Sequence, residues 1–109
     1  MKTYTGRRDA DGNCHVDITY TNGRTRPLPL RLDIENHSPT GFEWGYGGSG
    51  PAQLALAILA DALGEDKRAA RLHQSFKWKF IGALARDKPW TIRARDVIKW
   101  CNGNDNPAS

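Results

Sequence analysis

The residues best placed for chemistry are Gly47-Gly48-Ser49-Gly50, four small residues between an aromatic run (Phe42, Trp44, Tyr46) and a nearly unbroken apolar one at 51–63. Unpaired N–H groups at a helix start, with the positive end of the helix dipole behind them, attract anions. Gly47, Gly48, Ser49 and Gly50 are therefore an anion-binding candidate, with a tight structural turn as the plain alternative. Two sharper motifs fail. A phosphate-binding P-loop needs Lys-Ser/Thr after its last glycine, where this chain has Pro51-Ala52. Gly45, Gly47 and Gly50 match G-x-G-x-x-G, but a dinucleotide site needs a βαβ unit around that loop, and the flanking pattern here is one of hairpins. Ser49 stands where a nucleophile elbow would put it, with His37, His73, Asp33 and Asp61 as notional partners, yet position 51 is proline where G-x-S-x-G requires glycine. We expect no catalytic residue and no enzyme. A small enzyme using the glycine loop as an anion site is only a third reading.

Metal ligation finds no supporting spacing either. Cys14 and His15 are adjacent, while Cys101, His37 and His73 stand apart, and none has the two-to-four residue separation of a structural zinc pair. The expectation is no metal and no cofactor, with His37 a hydrogen-bonding turn residue. Charge is more informative. The chain carries a net +4, but residues 67–99 hold ten of the sixteen Lys and Arg against Asp87 and Asp96, and residues 1–66 are net negative. That asymmetry suits an acidic partner, either nucleic acid or an acidic protein surface, with a merely solvated face as the plain alternative. Within this segment Trp78 lies between Lys77 and Lys79, off the apolar stripe that contains Phe76 and Phe80. Arg68, Arg71, Lys77, Trp78 and Lys79 are the expected partner-binding face; the competing placement packs Trp78 under the Trp90 segment. Phe42, Trp44 and Tyr46 have the character of a base-stacking platform, but the apolar helix that follows needs a cover, and core is the assignment for that strand.

The elements that must hold these residues read as follows. A chain of 109 residues supports one core and one domain. Residues 2–5 are β-formers ending at Gly6, and residues 7–13 are turn chemistry. Val16, Ile18 and Tyr20 alternate with polar residues, and Asn22-Gly23 then predicts a type I′ hairpin turn. The return strand runs from Arg24 to Ile34, with Leu28, Leu30, Leu32 and Ile34 on one face and Pro27 and Pro29 marking an edge. Residues 41–46 predict another strand, presenting Phe42, Trp44 and Tyr46 together. Pro51 fits the first position of a helix that Gly64 stops, with Ser49 as its cap. A second helix starts near Asp66 with the stripe Ala69, Leu72, Phe76, Phe80, Ala83, Leu84, and ends by Gly82 and Asp87-Lys88-Pro89. Residues 90–93 are short and extended, and a third helix starts at Ala94 or Arg95 and runs to Cys101. The fold class is α+β: a small antiparallel sheet of three to four strands packed by two main helices and a short C-terminal helix, as one domain over 1–103 with a disordered tail at 104–109. No apolar stretch follows Met1 and none is long enough to span a bilayer. The expected setting is a reducing cytoplasm, with Cys14 and Cys101 as thiols and no membrane contact.

The sequence from Tyr4-Thr5-Gly6-Arg7 through Arg26-Pro27-Leu28-Pro29-Leu30, the block from Asn36-His37-Ser38-Pro39-Thr40-Gly41 through Phe42-Glu43-Trp44-Gly45-Tyr46 to Ala57, and His73-Gln74-Ser75-Phe76-Lys77 resembles a family of small uncharacterised bacterial, phage and mobile-element proteins. The resemblance covers nearly the whole chain and brings no activity with it. It implies a setting: a small accessory factor in a bacterial host, acting on nucleic-acid or defence machinery. The resulting expectation is a non-enzymatic binding module, an inhibitor or regulator of a host protein or ribonucleoprotein complex. A direct DNA- or RNA-binding protein using the basic 67–99 half is the second reading.

Overall fold

The computed structural model describes residues 1–104. The strands are β1 (Thr3–Arg8), β2 (Cys14–Thr19), β3 (Thr25–Pro27) and β4 (Trp90–Arg93); the helices are α1 (Ser49–Leu63), α2 (Asp66–Phe76) and α3 (Ala94–Asn104), with a π-helical turn at Lys77–Ile81 directly after α2. All strand pairs are antiparallel, in the order β3-β2-β1-β4. The fold is α+β, as expected. Of the tail, Asn104 belongs to α3 and the remainder lies outside the described residues.

Register explains which face is buried. Tyr4 sits between Ile18 and Ile92, and Gly6 between Val16 and Trp90, so one face carries the apolar residues while Thr5, Asp17 and Thr91 face the other way. Gly6 does not end β1 but lies within it. A Cβ there would stand 2.2 Å from the Trp90 indole, so the missing side chain is what lets Trp90 cover the strand. Against this face lies α1, buried without interruption from Gly50 to Ala60. The Tyr4 hydroxyl donates to Asp61 Oδ2 at 2.7 Å, and Lys2 pairs with the same carboxylate oxygen at 2.8 Å.

Several local expectations need correction. The Asn22-Gly23 hairpin forms, but only Gly23 is left-handed (φ 87°) and its N–H donates to Tyr20 C=O, so the turn is a longer one, not the two-residue type I′. The return strand keeps only Thr25–Pro27 in the ladder, at the edge where its proline is tolerated; Arg31 at φ 57° ends any extended path towards Ile34. Residues 41–46 are not a strand. Phe42 and Trp44 do point into the core, but Gly45 turns at φ 86° and donates its N–H to Ile81 C=O at 3.0 Å, sending Tyr46 outward. The fourth strand is β4 instead. Helix α1 starts at Ser49 with Gly48 as its N-cap and no side-chain cap, which puts Pro51 in the first turn but not at its first position; any first-turn site leaves the missing N–H harmless. The second helix stays α-helical only to Phe76, after which Gly82 N–H bonds to Lys77 C=O at 2.8 Å across five residues.

Candidate functional site

The glycine loop and Trp78, two separate candidates in the sequence, form one surface. The Gly45 to Ile81 hydrogen bond ties the loop to the end of the π turn. A Cβ on Gly47 would lie 2.3 Å from the outer ring of Trp78, so only glycine admits the indole there. Trp78 is 65% exposed in this position, and Lys77 Nζ stands 4.5 Å from its ring centroid. Tyr46, 41% exposed, packs on Gly48 and has the Arg86 guanidinium 5.1 Å from its ring centroid. Two exposed aromatics, each with a cation beside it, are thus fixed to a common loop.

Below that surface, Arg8 holds the chain in place. It donates twice to Glu43 (3.1 and 2.7 Å), once to Arg86 C=O at 2.6 Å, and lies 4.8 Å from the Trp44 ring centroid. Its hydrogen bonds hold the Glu43 carboxyl below the usual range. Glu43 in turn crosses Gly50, where a Cβ would meet Glu43 Cβ at 2.6 Å. Gly50 is therefore a packing glycine whose φ is not left-handed, and the accessible part of the anion candidate reduces to Gly47, Gly48 and the exposed Ser49.

The structure divides the expected partner-binding set. Trp78 is exposed beside the loop and Lys79, the next residue, is exposed as well, whereas Lys77 is 8% exposed and serves as a support for Trp78. Arg68 and Arg71 line an open depression with Gly64, Glu65 and Lys67 at the start of α2. At about 1.5 Å per residue, Arg68 is roughly 15 Å along the helix from Trp78. Arg68 also bonds Glu65 and Asn102, which anchors it. The sequence assigned Tyr46 to the core with Phe42 and Trp44, with a base-stacking platform as the alternative, and marked Arg86 only as one of the cations of the basic 67–99 segment.

A second constellation was hidden by distance along the chain. Gln53, the one polar residue among the apolar residues 51–60, is fully buried. Its Oε1 accepts from the His37 and Ser38 N–H groups (2.7 and 3.1 Å), and its Nε2 donates to Leu30 and Glu35 C=O (2.6 and 3.0 Å). That clamp fixes the segment carrying Glu35 and His37 against α1. His37, expected as a hydrogen-bonding turn residue, bonds through its backbone N–H to Gln53 of α1, and its ring lies beside His73 from α2. The two Nε2 atoms are 3.1 Å apart, and Glu35 Oε1 is 3.1 Å from His37 Nε2 and 4.0 Å from His73 Nε2. Burial pushes His73 towards its neutral form, opposed by the Ala70 carbonyl and Glu35.

The nucleophile candidates do not assemble. Among the described residues no hydrogen bond joins Ser49 to His37, His73, Asp33 or Asp61; Asp33 is paired with Arg31, and Asp61 with Tyr4 and Lys2. Cys14 and Cys101 are not bridged. Burial, and then the Glu43 charge, push the Cys14 thiol up to about 11, so it is protonated at neutral pH.

A four-stranded antiparallel sheet with helices packed on it, carrying an aromatic and cationic surface, defines a small α+β domain. The chain belongs to the family of unknown function DUF6166, whose pattern matches residues 4–103. No curated protein and no solved structure matches it. No helix among the described residues is long and apolar enough to cross a membrane.

Proposed function

We propose that this protein is a non-enzymatic binding module that docks an acidic protein surface through Trp78, Tyr46, Lys79 and Arg86. In this reading it is a phage or mobile-element accessory factor acting in the bacterial cytoplasm on a host protein or ribonucleoprotein complex, as a regulator or an inhibitor of defence machinery. The setting is supported by the family resemblance, and the contact chemistry by the surface itself. Trp78 is the central observation: a large apolar ring held in solvent, seated on a glycine that any side chain would close, with a lysine against it. Exposed Trp and Arg dominate the energetics of protein interfaces, and the basic 67–99 segment supplies charge complementary to an acidic partner. The same exposed ring, with Lys77 against it and Arg86 over the neighbouring Tyr46, also suits stacking of an unpaired base, which keeps direct nucleic-acid binding as the second reading.

Copurification of tagged protein from bacterial cells, parent against Trp78→Ala, tests this. The expected result is a defined protein complex that survives nuclease treatment with the parent and is lost with the variant, while melting temperatures agree. Bulk nucleic acid released steeply by salt supports the second reading. Equal recovery by the parent, Trp78→Ala and Tyr46→Ala variants overturns the assignment of the surface.

A further inference from the structure

We propose that Glu35, His37 and His73 bind a divalent transition-metal ion of the zinc class, leaving one coordination position open to water. Two imidazole nitrogens and a carboxylate oxygen suit zinc and its neighbours, not calcium or magnesium. The geometry supports this beyond mere proximity. A tetrahedral ion with bonds of about 2.0–2.2 Å holds its ligand atoms about 3.3–3.5 Å apart. Here His37 Nε2, His73 Nε2 and Glu35 Oε1 are separated by 3.1, 3.1 and 4.0 Å, so rearrangements of half an ångström or so make them equidistant. Among the described residues this is the group of three such side chains whose ligand atoms converge within 4.8 Å.

The supporting contacts are those a metal site needs. His73 Nδ1 is 2.6 Å from Ala70 C=O, and since a carbonyl only accepts, Nδ1 carries the proton and Nε2 presents its lone pair to the cluster. Gln53 holds the backbone at Glu35, His37 and Ser38 from below, so the two ligands on the loop are positioned before any ion arrives. Burial grades across the site: the side chain of His73 is 4% exposed, His37 25% and Glu35 39%. Entry is therefore from the Glu35 side, and that is where the open position lies. An ion there cross-links the 35–38 segment to α2, one turn before the π-helical segment that carries Trp78. The opposing influence is Lys77, whose charge acts on His73; its ammonium is turned towards Trp78.

The test uses the full-length, tag-free protein stripped with a chelator and then titrated with Zn²⁺ against a chromophoric competitor. One ion per chain is expected, with a rise in melting temperature. His37→Gln and Glu35→Gln, both at partly exposed positions where folding is retained, should each weaken binding roughly 100-fold or more, given that even supporting residues around a metal contribute about 10–100-fold. His15→Gln, which alters the separate Asp9–His15 pair, should bind as the parent does. Co²⁺ bound to the parent should give the visible absorption of a low-symmetry site, lost in both cluster variants. Absence of one-to-one binding, or binding unchanged in His37→Gln and Glu35→Gln, overturns the proposal.

Discussion

Replacing Gln53 by Met would test whether a single buried amide organises residues 30–38. The substitution keeps the length and flexibility of the side chain but removes an acceptor serving His37 and Ser38 and a donor serving Leu30 and Glu35. A hydrogen bond contributes about 0.5–1.5 kcal/mol net, and a buried group left without a partner costs about 1–3 kcal/mol. The loop side is half-buried and can recruit water, so about 1 kcal/mol per bond, or about 4 kcal/mol altogether, is the expected loss. Domains of this size have about 5–15 kcal/mol in total, and at roughly 5 °C per kcal/mol the melting temperature should fall by about 20 °C. Urea unfolding with an unchanged m-value measures the energy, and amide exchange at His37 and Ser38 locates it. A variant within about 1 kcal/mol of the parent, or one whose two amides exchange no faster, would refute this account of the loop.

Three further outcomes follow from the core and its clamp. Trp44→Ala, which removes a fully buried ring packed edge-on to Trp90, should cost about 3–5 kcal/mol by chemical denaturation; a loss below about 1 kcal/mol would place Trp44 outside the core. Gly50→Val forces Cβ onto the Glu43 Cβ and backbone nitrogen and should destabilise by about 1–3 kcal/mol or more, with an unchanged melting curve as the contrary result. Because Arg8 depresses Glu43 in the folded state, the pair's stabilisation is present above the ordinary carboxylate range and is lost as pH falls through the lowered folded value. Unfolding followed from pH 5 down to pH 2 should therefore show a loss that is smaller in Arg8→Met, and identical profiles would dismiss the clamp.

Local chemistry made part of this fold legible. Gly64, at φ 67° with its N–H on Ala60 C=O, stops α1 where a glycine after an apolar run should. Asn22-Gly23 marked a hairpin, and the alternation of Phe42 and Trp44 correctly placed both rings in the core. The same alternation failed as a strand signal because period two reports only which side chains share a face, whereas a ladder also needs a neighbouring strand, and Gly45 bonds to Ile81 instead. What remained hidden was long-range. Gly47 and Trp78, or His37 and His73, meet only because α1, α2 and the π turn fold back on the loop, and no local pattern encodes that. One signal was present but unused: a lone Gln in an otherwise apolar helical stretch must satisfy its amide somewhere, and the polar segment 35–38 is where it does so.

The strand order also governs how the chain is made. β1 is an interior strand flanked by β2 and by β4, yet Thr3 finds its partner Arg93 only after some ninety further residues. During synthesis β1 and β2 emerge early, while one edge of β1 waits, its hydrogen-bonding groups and the bare surface over Gly6 uncovered until Trp90 arrives. A nascent chain stalled before β4 presents an open strand edge of the kind that recruits chaperones or pairs with other chains. Completion of this domain is therefore tied to the synthesis of residues 90–93, and termination before them should yield aggregated or degraded product, not a smaller working domain.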